Sequence, residues 1–407
     1  MKIPFSPPII NENVIAEVNH TLHSGWITSG PKVKELEMTL ALQIGTSHVV
    51  CVNSWSSGAM LLLKWLGIGE GDEVIVPAYT YCATALSVIH CGATPVIVDV
   101  KEDFTIDPEK IADAINENTK AIFAVDFGGL MCDYDAIYEV INRKKAEGVS
   151  FKASSVKLAH YNRPLLLSDA AHSIGASYKG KKSGSVADFT IFSLHAVKNI
   201  TTAEGGAISF NLPDTLKADE VYKEMKLWSL NGQTKDAFSK TNGGGWRYDI
   251  LFPGLKVNMP DVCAAIGLAQ LKEYETIHIV ERKRVAERYA TYFTSMNWAI
   301  PPILKDESRS SCYHLYALRI RAITEEQRDL IIDEITAAGI SVNVHFLPLP
   351  MLTAFKSMGY SIDNYPKAYE MYANEISLPI YPQLTNDQVD LICKTVTEAY
   401  SKIVLNA

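Results

Sequence analysis

The feature that most constrains the fold is a pattern repeated through the first 210 residues, in which short apolar segments alternate with stretches of helical apolar spacing. A strand that is apolar at nearly every position has to be covered on both faces, and its alternation with helices is typical of a mostly parallel sheet. The pattern therefore predicts an α/β fold with a mostly parallel sheet between helices. The apolar segments are residues 48–53, 72–80, 94–100, 119–127, 164–172 and 187–195.

The pattern changes after residue 210. A long helix with a bend is predicted over 260–296, and shorter strands and helices then alternate, with SVNVHF (341–346) among the strands. We expect two domains, a large one over 1–294 and a small C-terminal α+β domain over 295–407. The polar stretch 143–162 interrupts a helix-to-strand link and is predicted to be a surface insertion.

Charge and composition exclude several classes of partner and location. The net charge is −8 with no basic block, so the chain has no electrostatic reason to bind nucleic acid or anionic lipid. No apolar run approaches the length of about 18 residues that a membrane helix needs, and the N-terminus lacks the apolar centre of a signal peptide. The seven scattered cysteines are typical of free thiols in a reducing compartment, and the ten dispersed histidines have no metal-ligand spacing. We therefore expect a cytoplasmic protein without a bound metal.

Side chains that can carry chemistry follow two of the apolar segments, where each predicted strand ends. Asp169 and His172 end the segment PLLLSDAAH, and Ser193, His195 and Lys198 follow the segment ADFTIF. The carboxyl ends of parallel strands meet at one edge of the sheet, where ligands bind in open α/β folds. We expect these five side chains to face one pocket.

An acid and a lysine that reach the same pocket suit pyridoxal 5′-phosphate (PLP). The lysine amine forms a Schiff base with the aldehyde, and a carboxylate pairs with the protonated ring nitrogen. Ser56 and Ser57 lie between a strand and a helix and are suited to the phosphate, and Tyr81 is placed to stack on the ring. Each residue also has an ordinary reading as a helix cap, a solvated charge or a core side chain. The spacing alone leaves a PLP site as one hypothesis.

Along nearly its whole length the chain resembles the sugar-nucleotide aminotransferases, the DegT/StrS-like group of PLP-dependent enzymes within the aspartate aminotransferase superfamily (fold type I). This resemblance implies a large PLP-binding domain with a seven-stranded, mostly parallel sheet and a smaller C-terminal α+β domain. It is carried by GWITSGPKVKELE (25–37), GDEVIVPAYTYCATALSVIHCGATPVIVDV (71–100), SDAAHSIGASYKG (168–180), SLHAVKNITTAEGGAISF (193–210), LKVNMPDVCAAIGLAQL (255–271) and SLPIYPQLT (377–385).

The resemblance also implies a role for each candidate residue. Lys198 is the Schiff-base lysine, Asp169 is the partner of the ring nitrogen, and His172 lies near the ring hydroxyl. Asn258 matches an asparagine that reaches the phosphate of the neighbouring subunit, which implies a homodimer with two shared sites. The remaining cofactor contacts implied are phosphate ligands and one stacking ring, namely Ser56, Ser57, Ser193 and Tyr81.

Three features depart from the family pattern. Asp126 and Phe127 stand where the family has histidine before an aromatic residue, SWSSG replaces the commoner S-G-T-A, and the insertion 143–162 is long. None of these departures touches Lys198 or Asp169. We therefore expect the cofactor chemistry to be retained.

The implied reaction is transfer of an amine from L-glutamate to a nucleotide-linked keto sugar. Relatives that remove a sugar hydroxyl carry histidine at the lysine position, whereas this chain has Lys198. The resemblance favours amination at carbon 4 of a 4-keto-6-deoxy hexose, for amino-sugar or surface-polysaccharide biosynthesis. Amination at carbon 3, a PLP-dependent dehydratase or lyase, and a non-enzymatic binding protein remain alternatives. Candidate contacts of the sugar or nucleotide are Thr28, His195, Trp246, Arg247, His314 and His345.

Overall fold

The computed structural model describes residues 2–234 and 247–405. Its strands form one sheet of seven strands and two of three strands. The strands are β1 (Val49–Val52), β2 (Glu73–Pro77), β3 (Thr94–Val98), β4 (Thr119–Val125), β5 (Leu165–Asp169), β6 (Ser177–Tyr178), β7 (Lys181–Lys182), β8 (Phe189–Ser193), β9 (Gly206–Phe210), β10 (Ala299–Ile300), β11 (Arg309–Ser310), β12 (Tyr316–Ile320) and β13 (Glu375–Leu378).

Helices cover both faces of the seven-stranded sheet and one face of the three-stranded sheet formed by β10, β12 and β13. Among the described residues no helix is both long and apolar enough to cross a membrane. The α-helices are Glu12–His23, Pro31–Ile44, Trp55–Leu66, Ala83–His90, Pro108–Ala114, Tyr134–Ala146, Val156–Ala159, Ala218–Trp228, Asp261–Glu273, Ile279–Phe293, Glu325–Ala337, Thr353–Ser357, Pro366–Ala373 and Asn386–Tyr400.

The large sheet has the strand order β1-β9-β8-β5-β4-β2-β3. The strands β8, β5, β4, β2 and β3 are parallel to one another, and β9 runs antiparallel to both of its neighbours, β8 and β1. Because β1 therefore runs in the same direction as β8, its carboxyl end lies at the same edge of the sheet. The predicted fold class, with a mostly parallel sheet between helices, is confirmed.

The helix Trp55–Leu66 follows β1 and begins at this edge. Ser54 caps its N-terminus by accepting a hydrogen bond from the Ser57 N–H, and Gly67 ends it in the left-handed conformation at φ 76°. The Trp55 ring nitrogen donates to the Ile191 carbonyl at 3.0 Å, which fixes the first turn against β8. The helix therefore presents its N-terminus at the carboxyl ends of the strands.

A second core is built around the antiparallel sheet β10-β12-β13. The helices Glu325–Ala337 and Asn386–Tyr400 pack on this sheet, and so does the apolar face of Ile279–Phe293, through Val285 and Tyr289. The division into domains at 294/295 stays a prediction, since the helix before that point contributes side chains to the C-terminal core.

The predicted long helix is bent as expected, and the bend is a π-helical turn at Tyr274–His278 between Asp261–Glu273 and Ile279–Phe293. The strand predicted for SVNVHF is wrong, because only one bridge, between Asn343 and Ser377, forms there. Side chains take two of its backbone N–H groups instead. The Val344 N–H donates to the Asn343 side chain at 2.8 Å, and the His345 N–H donates to Glu375 at 3.0 Å.

The insertion 143–162 extends the helix Tyr134–Ala146 and then packs beside the start of β2. Its Ser154 hydroxyl donates to Asp72 at 2.8 Å, and its Ser155 hydroxyl donates to the Leu66 carbonyl. Asp72 precedes β2, so these contacts lie at the amino ends of the parallel strands. The insertion is therefore at the edge of the sheet opposite to Asp169.

Candidate active site

A cavity of about 480 Å³ opens at the carboxyl ends of the parallel strands. It is the place where the sequence predicted that the side chains following β5 and β8 would meet. Of the predicted site residues, the cavity is lined by Ser56, Tyr81, Asp169, His172, Ser193, His195, Lys198 and His345.

Asp169 is the last residue of β5 and is buried. Its carboxylate accepts hydrogen bonds from the Thr84 hydroxyl at 2.8 Å and from the Ala171 N–H at 3.2 Å. Burial raises the pKa of the Asp169 carboxyl to about 6, while these two donors and the Lys198 amine act in the opposite direction. The Asp169 carboxylate is therefore held in a fixed orientation by two neutral donors, and it can pair with a cation that enters the cavity.

Lys198 lies on the loop between β8 and β9, and this loop is fixed on both sides of it. The Thr202 N–H donates to the Leu194 carbonyl at 2.8 Å, and the Leu194 N–H donates to Gly205 at 2.9 Å. The next residue, Asn199, donates to the Cys312 carbonyl at 3.0 Å. The backbone that carries Lys198 is thus fixed on both sides, and within the described ranges no ion pair joins its amine.

The Lys198 amine is desolvated in the cavity. Burial lowers its pKa to about 8, and the negative charge of Asp169 partly offsets this shift. A lysine with such a pKa holds a sizeable fraction of free amine near neutral pH, which an exposed lysine does not. The side chain can therefore act as a nucleophile or as a proton acceptor.

Three neutral imidazoles lie close to Lys198. Burial and the neighbouring Lys198 charge hold the pKa of His172, His314 and His345 well below the usual range of histidine. The Gly128 N–H approaches His172 Nδ1 at 3.3 Å, so that nitrogen is the acceptor and the His172 proton is assigned to Nε2. His172 is therefore a hydrogen-bond donor to whatever occupies the cavity.

His314 lies behind His172 and does not line the cavity. The two rings are 4.3 Å apart between centroids, and His314 Nδ1 is 2.9 Å from Asn199 Oδ1. Asn199 uses its amide hydrogens on Tyr274 and Cys312, so its oxygen is free to accept from His314. This arrangement positions the His172 ring and keeps His314 out of the cavity lining.

One end of the cavity is suited to an anion. The N-terminus of the helix Trp55–Leu66 carries Ser54 and Ser56 into the lining, and Ser193 faces them from the end of β8. Helix N-termini and hydroxyl groups together bind phosphate well. A methyl group at Gly206 would lie 2.6 Å from the Ser54 carbonyl, so glycine is needed there for β9 to approach the start of the helix.

Tyr81 borders the cavity and is 61% exposed, which leaves one face of its ring free for a flat ligand. Its ring centroid lies 5.9 Å from that of Phe346. The cavity thus offers an amine, a carboxylate, an aromatic face and an anion-binding end. This is the set of groups that PLP requires, and the residues present fit it.

Some predicted residues lie outside the cavity lining. Ser57 is one position further along the helix than Ser56, and its hydroxyl lies 2.8 Å from that of Ser54. Thr28 is exposed, and Asn258 donates to the Ser29 hydroxyl at 2.6 Å beside a separate cavity. Arg247 is exposed, and Trp246 lies outside the described residues.

The departure at Asp126 has a structural explanation. Its carboxylate is fully buried and accepts hydrogen bonds from the Cys132 N–H at 2.9 Å, from the Tyr134 hydroxyl at 2.9 Å and from the Ser173 hydroxyl at 2.7 Å. Asp126 does not line the cavity. It ties together the segments that follow β4 and β5, and so supports Asp169 from behind.

Sequence reasoning missed several groups in the lining. The most important is Thr84, which hydrogen-bonds Asp169, and its own hydroxyl lies 2.9 Å from that of Thr80. The signal available was a pair of threonines four residues apart just after β2, at the same edge as Asp169. The other lining residues that were not predicted include Ser54, Thr80, Glu204 and Phe346.

Comparison with known families and proteins matches nearly the whole chain. The sequence model of the DegT/DnrJ/EryC1/StrS aminotransferase family matches residues 8–397. The spore coat polysaccharide biosynthesis protein SpsC of Bacillus subtilis is 36% identical over 97% of this chain and 96% of its own length. A UDP-4-amino-4-deoxy-L-arabinose–oxoglutarate aminotransferase of Shewanella sediminis is 32% identical, over 97% of both chains.

Solved structures agree with these matches. Spr1654 of Streptococcus pneumoniae, described as a candidate sugar aminotransferase, has a PMP-form that is 46% identical and superimposes with a TM-score of 0.95 over 99% of this chain and all of its own. Its PLP-form is 44% identical, with a TM-score of 0.94 over the same shares of the two chains.

Proposed function

The chain belongs to the DegT/DnrJ/EryC1/StrS aminotransferase family, and from this premise we propose that it moves the amino group of L-glutamate onto a nucleotide-linked keto sugar. The membership confirms the resemblance predicted from the sequence. The protein is a PLP-dependent sugar aminotransferase of amino-sugar and polysaccharide biosynthesis. The proposal adds the donor, the nucleotide linkage and the position of the amine, which we place at carbon 4 of a 4-keto-6-deoxy hexose.

The observation that carries the proposal is that Lys198 and Asp169 line one cavity. Bound PLP supplies an aldehyde for the lysine amine and a ring that withdraws electrons from the carbon bearing the transferred nitrogen. Asp169, at the end of β5, holds a proton on the ring nitrogen. Lys198, with its pKa lowered to about 8, would move a proton between the two carbon atoms bonded to the transferred nitrogen.

The other lining residues orient the cofactor. His172 donates from Nε2 to the ring hydroxyl, because its Nδ1 accepts from Gly128. Tyr81 stacks on the ring. The hydroxyls of Ser56 and Ser193 would bind the phosphate at the start of the helix Trp55–Leu66, and Ser57, which lies just outside the lining, would join them from the next position of the helix.

We place Asn258 in the partner's site of a homodimer. Asn258 and Ser29 line a cavity of about 170 Å³ that is separate from the one around Lys198. Thr28 and Arg247 are exposed. These positions support a site completed by a second copy of the chain, in which Thr28 and Arg247 contact the nucleotide or sugar.

The sugar itself is placed against His195 and His345, which line the cavity beside Lys198. His314 is assigned a positioning role instead, because it is buried behind His172. The Shewanella relative is named for a 4-amino sugar and for oxoglutarate, the product of glutamate, which supports carbon 4 and the donor. The presence of Lys198 favours transamination over dehydration.

The free thiols of all seven cysteines support a cytoplasmic location.

Thr84→Val tests the support of Asp169. The substitution keeps the shape of the side chain and removes the hydroxyl that donates to the carboxylate at 2.8 Å. A hydrogen bond to a charged group contributes about 1.5–3 kcal/mol, so PLP is expected to bind about 10–100-fold more weakly. Titration of apo-enzyme with PLP, followed by absorbance, measures the affinity. Thr291→Val, which removes an exposed hydroxyl from a helix, is the matched control. Equal affinities would contradict the role of Thr84.

The proposed function is tested in two half-reactions. PLP-loaded enzyme mixed with L-glutamate alone is expected to release one 2-oxoglutarate per site and to lose its visible absorbance. The enzyme that glutamate has aminated is then mixed with nucleotide-linked 4-keto and 3-keto 6-deoxy sugars, and the aminated carbon of the sugar is identified by NMR. Amination at carbon 3 alone would contradict the assignment of carbon 4. Failure of glutamate to react would contradict its assignment as the amino donor.

A further inference from the structure

A chain of buried polar groups leads from β13 into the cavity. Glu375 and Ser377 are two residues apart on β13, so their side chains lie on the same face of the strand. That face is turned toward His345, and both Glu375 and Ser377 are 0% exposed. His345 in turn lines the cavity together with Lys198. Nothing in the proposed transamination described above uses Glu375 or Ser377.

The three groups are linked by hydrogen bonds. The Ser377 hydroxyl lies 2.5 Å from one Glu375 carboxylate oxygen and 2.9 Å from His345 Nδ1. The second carboxylate oxygen accepts from the His345 backbone N–H at 3.0 Å, which fixes the carboxylate relative to the imidazole. Within the described ranges no group hydrogen-bonds His345 Nε2, the polar atom of the ring that remains for the cavity.

Among the described residues, none of the charged groups around Glu375 forms a direct ion pair with it. Arg328, from the helix Glu325–Ala337, directs its guanidinium to the carbonyls of Tyr372 and Glu375 and to Asp329. Arg319 is opposite Glu375 on β12 and pairs with Glu102 at 3.0 Å.

Two further groups, from other parts of the chain, face Glu375 and His345. The buried Tyr79 hydroxyl lies near the Glu375 carboxyl, and Lys198 acts on His345 from the cavity. Burial raises the pKa of the Glu375 carboxyl to about 8, so both of its charge states are accessible near neutral pH.

We propose that Glu375, Ser377 and His345 form a proton relay into the cavity, in which the charge of Glu375 sets whether His345 Nε2 accepts or donates a proton. With Glu375 ionised, His345 Nδ1–H donates to Ser377, the Ser377 hydroxyl donates to Glu375, and Nε2 is an acceptor. With Glu375 protonated, every hydrogen bond in the chain reverses and Nε2 carries a proton. The imidazole is neutral in both states.

The relay moves one proton and no electrons. When Nε2 takes a proton from a group in the cavity, the Nδ1 proton passes to Ser377 and the serine proton passes to the Glu375 carboxylate. The reverse sequence returns the proton to the cavity. Glu375 and Ser377 are thus positioning residues that act through His345.

The use of this relay rests on the proposed function. Conversion of a ketone to an amine releases the carbonyl oxygen as water, after the oxygen has taken two protons that come, overall, from the amino nitrogen. A group beside the sugar has to hold a proton between its departure from nitrogen and its arrival on oxygen. His345 Nε2 faces the cavity and can do so without becoming charged, because Glu375 takes the compensating proton.

The relay is tested first by spectroscopy on PLP-loaded enzyme without sugar. In wild type, ¹⁵N spectra of histidine-labelled enzyme are expected to move the His345 proton from Nε2 to Nδ1 as the pH rises from 6 to 10, spanning the Glu375 pKa of about 8. His345→Asn assigns the signals. Glu375→Gln is expected to hold the proton on Nε2 at every pH, since its amide donates to Ser377. Ser377→Ala is expected to abolish the coupling, and Ser377→Thr to restore it.

The second arm measures a single turnover of the aminated enzyme with a keto sugar. Ser377→Ala is expected to slow this step by about 10²-fold, within the range of general acid–base catalysis, with PLP affinity unchanged. Ser377→Thr restores the rate, and Ser357→Ala, which removes an exposed hydroxyl, leaves it unchanged. If the position of the His345 ring proton depends on pH in the same way in wild type, Glu375→Gln and Ser377→Ala, the relay is overturned. If the His345 ring proton follows the charge of Glu375 but the enzyme aminates no keto sugar, the relay is supported and the proposed function is overturned instead.

Discussion

Lys198→Ala is expected to lower the rate of amino transfer by about 10⁴-fold, the upper range for the loss of a general acid–base group. The loop that carries Lys198 is fixed by backbone hydrogen bonds of Leu194 and Thr202, so the fold does not depend on the amine. Under the proposed function, the substitution removes the amine that joins PLP covalently and that moves the proton. The variant is therefore expected to bind PLP without the visible absorbance of the lysine-bound cofactor.

Rates of 2-oxoglutarate release and absorbance spectra of the two loaded enzymes make this comparison. Lys394→Ala is the matched control, because Lys394 is exposed on the helix Asn386–Tyr400. A small primary amine added to Lys198→Ala is expected to recover part of the rate by acting as the missing base. A variant that keeps the wild-type spectrum and rate would mean that another amine joins the cofactor.

The large sheet could be predicted from sequence because its strands are apolar on both faces. Leu165–Asp169 and Phe189–Ser193 are buried at every position, and such runs are readable without knowing their neighbours. Once the strands are parallel, the residues that follow them must share an edge. The meeting of Asp169, His172 and Lys198 in one cavity is thus a consequence of topology rather than of any single motif.

The relay residues could not be predicted in the same way. Glu375 and Ser377 are in a strand of four residues. They meet His345, which is about thirty positions earlier in the sequence, only because the tertiary fold brings that segment beside β13. The segment SVNVHF has the alternation of a strand, yet two of its N–H groups bond to the side chains of Asn343 and Glu375. Propensity carries no information on such tertiary partners. Thr84 is a similar case, since a threonine in the first turn of a helix is common.

Asp126 illustrates a different limit. The sequence marked it as a departure from the family, but a substituted position can be either a changed substrate contact or a changed support. Only its partners, Cys132, Tyr134 and Ser173, identify it as a buried support. Burial raises the pKa of the Asp126 carboxyl to about 6, as it does for Asp169, yet only Asp169 lines the cavity. A shifted pKa therefore distinguishes the catalytic candidate only together with its position.

Asp169→Asn is expected to lower both half-reaction rates by about 10²–10³-fold, the usual loss when one preorganised charged partner is removed. Asparagine has the same shape, and its oxygen can still accept from the Ala171 N–H while its amide group donates to the Thr84 hydroxyl, which can turn its own hydrogen to Thr80, so the cavity is preserved. Its neutral amide cannot hold a proton on the ring nitrogen, and the ring then withdraws electrons poorly. Rapid mixing of the loaded variant with glutamate measures the rate.

The stability of the apo-enzyme separates this loss of rate from misfolding. The pKa of the Asp169 carboxyl is raised to about 6 in the folded chain, above its unfolded value, so its contribution to stability is fully present below the unfolded pKa and is lost as the pH rises through 6. Above that pH wild type holds a buried, ionised carboxylate, whereas Asp169→Asn does not. Apo Asp169→Asn is therefore expected to melt at a temperature equal to or above that of apo wild type at pH 8, although its loaded form is slow. A variant that both melts lower and reacts at the wild-type rate would show that Asp169 supports the fold and that another acid faces the ring.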